Sequence, residues 1–202
     1  LVVCPLSIMK AAWQRDLFSV LPHRSVGIAH GSVSTRRKII AGDYEFVVIN
    51  YDGILTVLDE LIAAKFDFIV ADESSYLKNV STHRWKAFHK LAKASPRVVL
   101  MTGTPAAQSP VDAFGLAKII CPDRVPRFFG GWRDVVMQKI TMFKYTPRPR
   151  ANDIVFAALQ PAIRYTKNEC LDLPDMVYET RDVPLTPQQE KYYNLLKKQL
   201  LI

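Results

Sequence analysis

Cysteine and glycine are scarce in this chain, and acidic residues are outnumbered. Its 202 residues hold three cysteines, Cys4, Cys121 and Cys170. An odd number at such wide spacing excludes a disulfide framework and a zinc ribbon. It fits a reducing, intracellular setting. No apolar run approaches the roughly eighteen residues that cross a bilayer, so no membrane partner is expected. The first residues, Leu1-Val2-Val3-Cys4-Pro5, carry no initiator Met and no basic leader. They read as an interrupted strand rather than a signal peptide, and so as the start of a fragment. His23, His83 and His89 show no ligand spacing and read as surface or capping residues. Internal repeats and low-complexity tracts are absent.

What remains is ample material for one core with an appendage: 49% of the residues are hydrophobic and 23% charged. The formal charge is +8, from 27 basic and 19 acidic residues. The excess is concentrated. Between Arg124 and Asn168 nine basic residues meet only Asp134 and Asp153, and Phe128, Phe129, Trp132, Phe143 and Tyr145 lie among them. Such a stretch suits a phosphate backbone. It also suits an ordinary solvated surface.

Strands are expected at Leu1–Cys4, Ser25–Ala29, Phe46–Asn50, Phe66–Ala71 and Arg97–Met101. Several are apolar on successive residues, the pattern of strands buried on both faces of a parallel sheet. Between them, helices are expected at Ile8–Leu21, Ile54–Lys65 and His83–Ala94, the last with Ser81 or Thr82 as N-cap. Ser109-Pro110 opens a further helix, Val111–Ile120. This order implies an α/β fold, a parallel sheet flanked by helices. Residues 1–121 read as that lobe. Residues 122–202 read as a basic, mostly helical appendage, with a helix as far as Pro161, an extended Val177–Val183, and a final helix Gln188–Leu201 opened by the capping box Thr186-Pro187-Gln188-Gln189.

Two strand ends carry chemistry. Phe66–Ala71 delivers Asp72 and Glu73 at its carboxyl end, where open α/β sheets bind ligands. Adjacent carboxylates there are either a solvated strand-to-loop junction or the holder of a cation such as magnesium on a nucleotide. Successive side chains at a strand end splay apart. With the short polar turn and Leu77-Lys78-Asn79 that follow, the pair resembles the Walker B element of nucleotide-driven motors, which implies that Asp72 holds Mg²⁺ through water and Glu73 orients and deprotonates the attacking water. The next strand ends in Thr102-Gly103-Thr104-Pro105-Ala106-Ala107-Gln108. There the glycine permits a tight path, and the hydroxyls can sense Asp72 or Glu73.

Together these segments resemble the first RecA-like lobe of superfamily-two helicases of the Swi/Snf type. Val2-Val3-Cys4-Pro5-Leu6-Ser7 with Trp13-Gln14 is similar to motif Ia. His30-Gly31-Ser32 and Val47-Val48-Ile49-Asn50-Tyr51-Asp52 resemble two further strand ends. Asp72-Glu73 with Leu77-Lys78-Asn79 resembles motif II, and Thr102-Gly103-Thr104-Pro105 with Gln108 resembles motif III. Ile163-Arg164-Tyr165-Thr166-Lys167 with Leu173-Pro174, and Pro184-Leu185-Thr186-Pro187-Gln188-Gln189, resemble the family's stretch toward its second lobe. Two departures stand out. Ser74-Ser75 replaces the common Ala-His of motif II, as in phage-encoded members, and Ser75 cannot titrate near neutrality. No glycine is followed by lysine, so the chain has no Walker A loop.

The resemblance implies an ATP hydrolase with ATP and Mg²⁺ as cofactors, driving movement on double-stranded DNA. It implies Asp72 and Glu73 as catalytic, and Ser75, Thr102, Gly103, Thr104 and Gln108 as the coupling motif. Backbone contacts to DNA are expected from Pro5, Ser7, Lys10, Asn50, Tyr51 and Lys78. The arginine finger would come from the second RecA-like lobe, so this chain alone is expected to be inactive. A strand-separating helicase or restriction-type motor is the alternative within the class, and a non-catalytic DNA-binding adaptor the alternative outside it. An intracellular place follows, cytoplasmic or nucleoid-associated if the source is bacterial or phage.

Overall fold

The structure is a computed structural model that describes residues 1–170, 172 and 177–200, with the backbone alone for residues 167 and 168. Five strands form one parallel sheet in the order β2-β3-β1-β4-β5. They are β1 (Val2–Cys4), β2 (Val26–Ala29), β3 (Phe46–Asn50), β4 (Ile69–Ala71) and β5 (Val98–Leu100). Each lies inside an apolar run expected to be a strand.

Alternation along the central strands builds two cores. Val3, Val47, Ile49, Ile69 and Ala71 join Leu61, Leu77, Phe88, Leu91 and Leu116 in the larger one. Val2, Cys4 and Val48 join Met9 in the smaller one, with Trp13, Leu17 and Ile28 packed against it. Because successive residues enter opposite cores, these strands need apolar side chains throughout. The expectation of two buried faces is corrected for β5. It is an edge strand, and Val99 stays 42% exposed.

Caps and breaks shape the helices. Residues Met9–Gln14 form a π-helical turn that runs into α1 (Arg15–Val20). α2 (Val33–Ile40), which sequence reading did not single out, is capped by the Ser32 side chain accepting from Thr35 N–H. The helix expected over Ile54–Lys65 is divided into α3 (Tyr51–Ile54) and α4 (Leu58–Ala63), with Val57 in a non-helical conformation between them. α5 (His83–Lys93) uses Thr82 as its cap, accepting from Trp85 N–H. α6 (Ala113–Ile120) follows a 3₁₀ turn over Pro110–Asp112, and Ser109 makes no side-chain cap.

Beyond residue 121 come α7 (Phe129–Val136), the antiparallel pair β6 (Met137–Lys139) and β7 (Tyr145–Pro147), and α8 (Ala151–Ala158). The hairpin is new relative to the sequence reading, because three-residue strands are too short to show alternation. Val125, Trp132, Val136, Ala151 and Val155 enter the larger core. Packing therefore continues past the compositional boundary at 121. Leu1–Ala162 form one compact unit and Ile163–Ile202 a second. In the second, α9 (Lys167–Cys170) is followed by α10 (Pro187–Gln199), whose capping box between Thr186 and Gln189 is formed on both sides. Residues 177–183 have no regular hydrogen-bonded structure. Leu173-Pro174 lies outside the described residues.

Candidate active site

Parallel strands all end at the same edge, so the segments after β1, β3, β4 and β5 converge. Asp72 extends β4 by one bond, its N–H donating to the Val3 carbonyl at 2.8 Å. The chain then turns at Glu73, which has φ +50° and ψ +50°. This left-handed conformation costs a non-glycine residue roughly 1–2 kcal/mol. It turns the two acids apart: Asp72 is half-buried and Glu73 exposed.

Asp72 is held from every side. Its Oδ1 accepts from the Glu73 N–H at 2.9 Å and its Oδ2 from Trp13 Nε1–H at 2.8 Å. Its carbonyl accepts from the Tyr51 hydroxyl at 2.7 Å. Burial, with the charge of Asp72 adding, pushes the Cys4 thiol up to about 12. Burial, then Asp72, Cys4 and Glu73, also push the Tyr51 phenol up, and Arg84 only partly opposes them. Both neighbours therefore stay neutral. Among the described residues neither Asp72 nor Glu73 is in an ion pair. Two carboxylates with neutral hydrogen-bond donors and no protein cation suit an external one. A carboxylate already bonded at both oxygens suits a hard cation that keeps its water shell, as Mg²⁺ does.

The loop after β4 and the loop after β5 are joined through backbone. Met101 N–H donates to the Ala71 carbonyl and Ser74 N–H to the Met101 carbonyl, each at 2.8 Å. Beyond this junction lies a cleft of about 310 Å³ lined by Ser75, Tyr76, Lys78, Thr104, Pro105, Ala107, Gln108 and Asp112. Lys78 Nζ donates to Gln108 Oε1 at 2.9 Å and lies 3.6 Å from Asp112 Oδ2. The Ser75 hydroxyl is 3.5 Å from both Glu73 Oε2 and the Glu73 carbonyl. Ser75, Thr104 and Gln108 thus share one cleft.

Three expectations need correcting. Thr102 and Thr104 make no hydrogen bond to the carboxylates; Thr102 Oγ1 accepts from Thr104 N–H at 3.3 Å. A Cβ at Gly103 would meet nothing within 4 Å, so no steric demand places glycine there. Asn50 and Tyr51 are only 8% and 2% exposed, which leaves their side chains unavailable to a DNA backbone. Asn50 Oδ1 accepts from Arg36 Nη1 at 3.0 Å. Tyr51 stacks on Tyr76, with ring centroids 5.3 Å apart and planes within 3°. Pro5 is half-buried at the end of β1, with Ser7 and Lys10 exposed beyond it.

Other contributors escaped sequence reading. Trp13 packs against the smaller core, and its indole nitrogen also bonds Asp72. Its place in the motif Ia match was the available signal. Arg36 ties Ala29 and Gly31 carbonyls to Asn50. Arg84 lies 5.1 Å over the Tyr76 ring and bonds Asp52 at 2.7 Å. Neither arginine had a signal, because each acts across elements.

A parallel five-stranded sheet with two carboxylates beyond a central strand, and a hydroxyl-bearing loop on the neighbouring strand, defines a RecA-like α/β lobe. The SNF2-related domain family matches residues 1–202, and the chain belongs to that family. Among its relatives is the SWI/SNF-related matrix-associated actin-dependent regulator of chromatin subfamily A-like protein 1 of Xenopus tropicalis. It is 37% identical over 131 residues, covering 63% of this chain and 13% of that protein. The DNA annealing helicase and endonuclease ZRANB3 of Homo sapiens is 26% identical over 142 residues, 66% of this chain and 12% of that protein. The Sulfolobus solfataricus SWI2/SNF2 ATPase core in complex with dsDNA superposes with a TM-score of 0.64 at 25% identity, covering 99% of this chain and 41% of that one. The chain thus spans about an eighth of the length of these two relatives and two fifths of that core.

Proposed function

We propose that the chain is the first lobe of an ATP-dependent motor that moves on double-stranded DNA. The placement of Asp72 and Glu73 carries this reading: both lie at the carboxyl edge of a central strand, and no protein cation neutralises either among the described residues. The similarity to an ATPase core in complex with dsDNA supports it.

In this reading Mg²⁺, when bound, neutralises charge on the β- and γ-phosphates. Asp72, its orientation set by Trp13 and the Glu73 amide, would hold the ion. Glu73, exposed beside it, accepts the proton of the attacking water. The Lys78–Gln108 bond links the two loops across the cleft, so a ligand at either is felt by the other. Ser75, whose hydroxyl lies 3.5 Å from Glu73 Oε2, couples to that carboxylate without titrating. Ser7 and Lys10 meet the DNA backbone at the same edge as Pro5. The phosphates need further residues, because no glycine here is followed by lysine. The second RecA-like lobe of the full-length protein supplies the remaining catalytic groups. The place of action is an intracellular, reducing compartment, supported by three cysteines that are all free.

The test is DNA-stimulated ATPase of the full-length protein. Glu73→Gln should lower turnover at least about a hundredfold, within the range for a lost general base, with DNA affinity retained. Unchanged turnover would remove Glu73 from the reaction. Rapid turnover by the 202-residue chain alone would overturn the two-lobe reading.

A further inference from the structure

We propose that the β6–β7 hairpin is a second DNA-engaging element, a wedge whose apolar tip seats against base edges in a groove of duplex DNA while flanking lysines hold phosphates. This rests on the reading of the chain as a motor lobe.

The tip is built against the usual chemistry of turns. Ile140 N–H donates to the Lys144 carbonyl at 2.8 Å, and Thr141 N–H reaches the same carbonyl at 3.2 Å. The Thr141 hydroxyl accepts from the Phe143 and Lys144 N–H groups. Such tight turns favour Gly, Asn, Asp, Ser or Pro at their apex. Here the apex is Met142 and Phe143, 72% and 90% exposed, with Ile140 at 53% beside them. These are large apolar groups held outward, and the main chain has no conformational need for either.

The root is rigid. Arg148 Nε donates to the carbonyls of Asp134 and Met137, each at 3.0 Å. The Arg133 guanidinium lies 4.6 Å over the Tyr145 ring. Met137 is buried and meets the Ser109 hydroxyl at 3.8 Å, and Trp132 Nε1 donates to the Pro110 carbonyl at 3.3 Å. The hairpin therefore stands on the residues that follow Gln108.

Charge selects the partner. Lys139 ends β6 and Lys144 immediately precedes β7, both exposed and neither in an ion pair among the described residues. The nearest acid in sequence, Asp134, is paired with Arg133 at 3.4 Å. A protein groove would accept the apolar tip but gives no reason for a cation on each side of the turn. A DNA groove does: phosphates line both rims, and apolar side chains seat on or between bases as wedges.

The experiment uses the full-length protein and a fluorescein-labelled duplex, titrated over a range of salt. Met142→Ser with Phe143→Ser leaves the turn bonds and the core untouched. It should weaken duplex binding about five- to a hundredfold, the range for lost base contacts, with the salt slope unchanged. Lys139→Gln with Lys144→Gln should reduce the salt slope by about two. Duplex affinity within twofold of wild type in the tip variant overturns the proposal. So does a tip variant that changes DNA-free ATPase instead, which would place the tip on protein. If the wild type itself fails to bind duplex, the motor reading fails with it. Wild-type binding with an indifferent tip sinks the wedge alone.

Discussion

Gly115→Ala is the sharpest probe of how the fold supports the site. Gly115 lies on the face of α6 that packs against the turn following Glu73. A Cβ there would overlap the Leu77 carbonyl oxygen and approach the Lys78 carbonyl carbon to 2.7 Å, where ordinary contact begins near 3.4 Å. Backbone cannot swing aside as a side chain can, so α6 must retreat by more than about an ångström. Overpacking of this kind costs about 1–3 kcal/mol, and rigid neighbours put it near the top. The Trp85 Nε1 bond to the Gly115 carbonyl, now 2.9 Å, is strained as well, adding about 1 kcal/mol. Alanine is the better helix former by about 1 kcal/mol and offsets part of this. The net is about 3 kcal/mol, or roughly 6–12 °C in melting temperature for a chain of this size. Thermal unfolding followed by circular dichroism measures it. Gly103→Ala, whose Cβ meets nothing within 4 Å, is the control and should melt with the wild type. If the two variants melt together, the close approach of α6 to the turn is wrong. In the full-length protein, Gly115→Ala should also lower ATP turnover, because the displaced turn carries Lys78.

Two further outcomes follow from single contacts. Trp13→Phe removes the donor on Asp72 Oδ2, and bonds to charged groups are worth about 1.5–3 kcal/mol. The Mg²⁺ concentration for half-maximal ATP turnover should rise several-fold; an unchanged titration would show that Trp13 does not orient Asp72. His89 stacks on Trp85 and is held below its ordinary range by burial first, then by Lys93 and Lys118. The unfolded chain thus binds its proton at higher pH than the folded one. Stability from this residue is present above about 6.5 and is lost as pH falls toward the lower folded value. The wild type should lose more melting temperature than His89→Gln between neutral and mildly acidic buffer, and parallel losses would refute the assignment.

The strands were legible because burial on both faces leaves a local mark. The runs ending at Cys4, Ala29, Asn50 and Ala71 are predominantly apolar, and β1 to β4 fall inside them. The capping box at Thr186 was legible for the same reason, since all its contacts lie within four residues. The breaks in the helices were not. The π turn before α1 and the pause at Val57 keep the apolar spacing of continuous helices while changing their geometry. The hairpin was hidden because its strands are three residues long and its turn holds Met142 and Phe143 where a turn signal would stand.

The parallel lobe, its family resemblance and the arrival of Asp72 and Glu73 at a strand end are written in the chain order. Those depend on apolar runs and on spacing along one segment, which local chain order encodes. Tertiary structure alone decided what surrounds the pair. Trp13 reaches Asp72 across 59 residues, and Tyr51 crosses 21 to bond its carbonyl. The same packing withdrew Asn50 and Tyr51 from the surface and set the hairpin upon Ser109 and Pro110. Such contacts come from the order in which strands are laid side by side, and no periodicity within a single segment records that order.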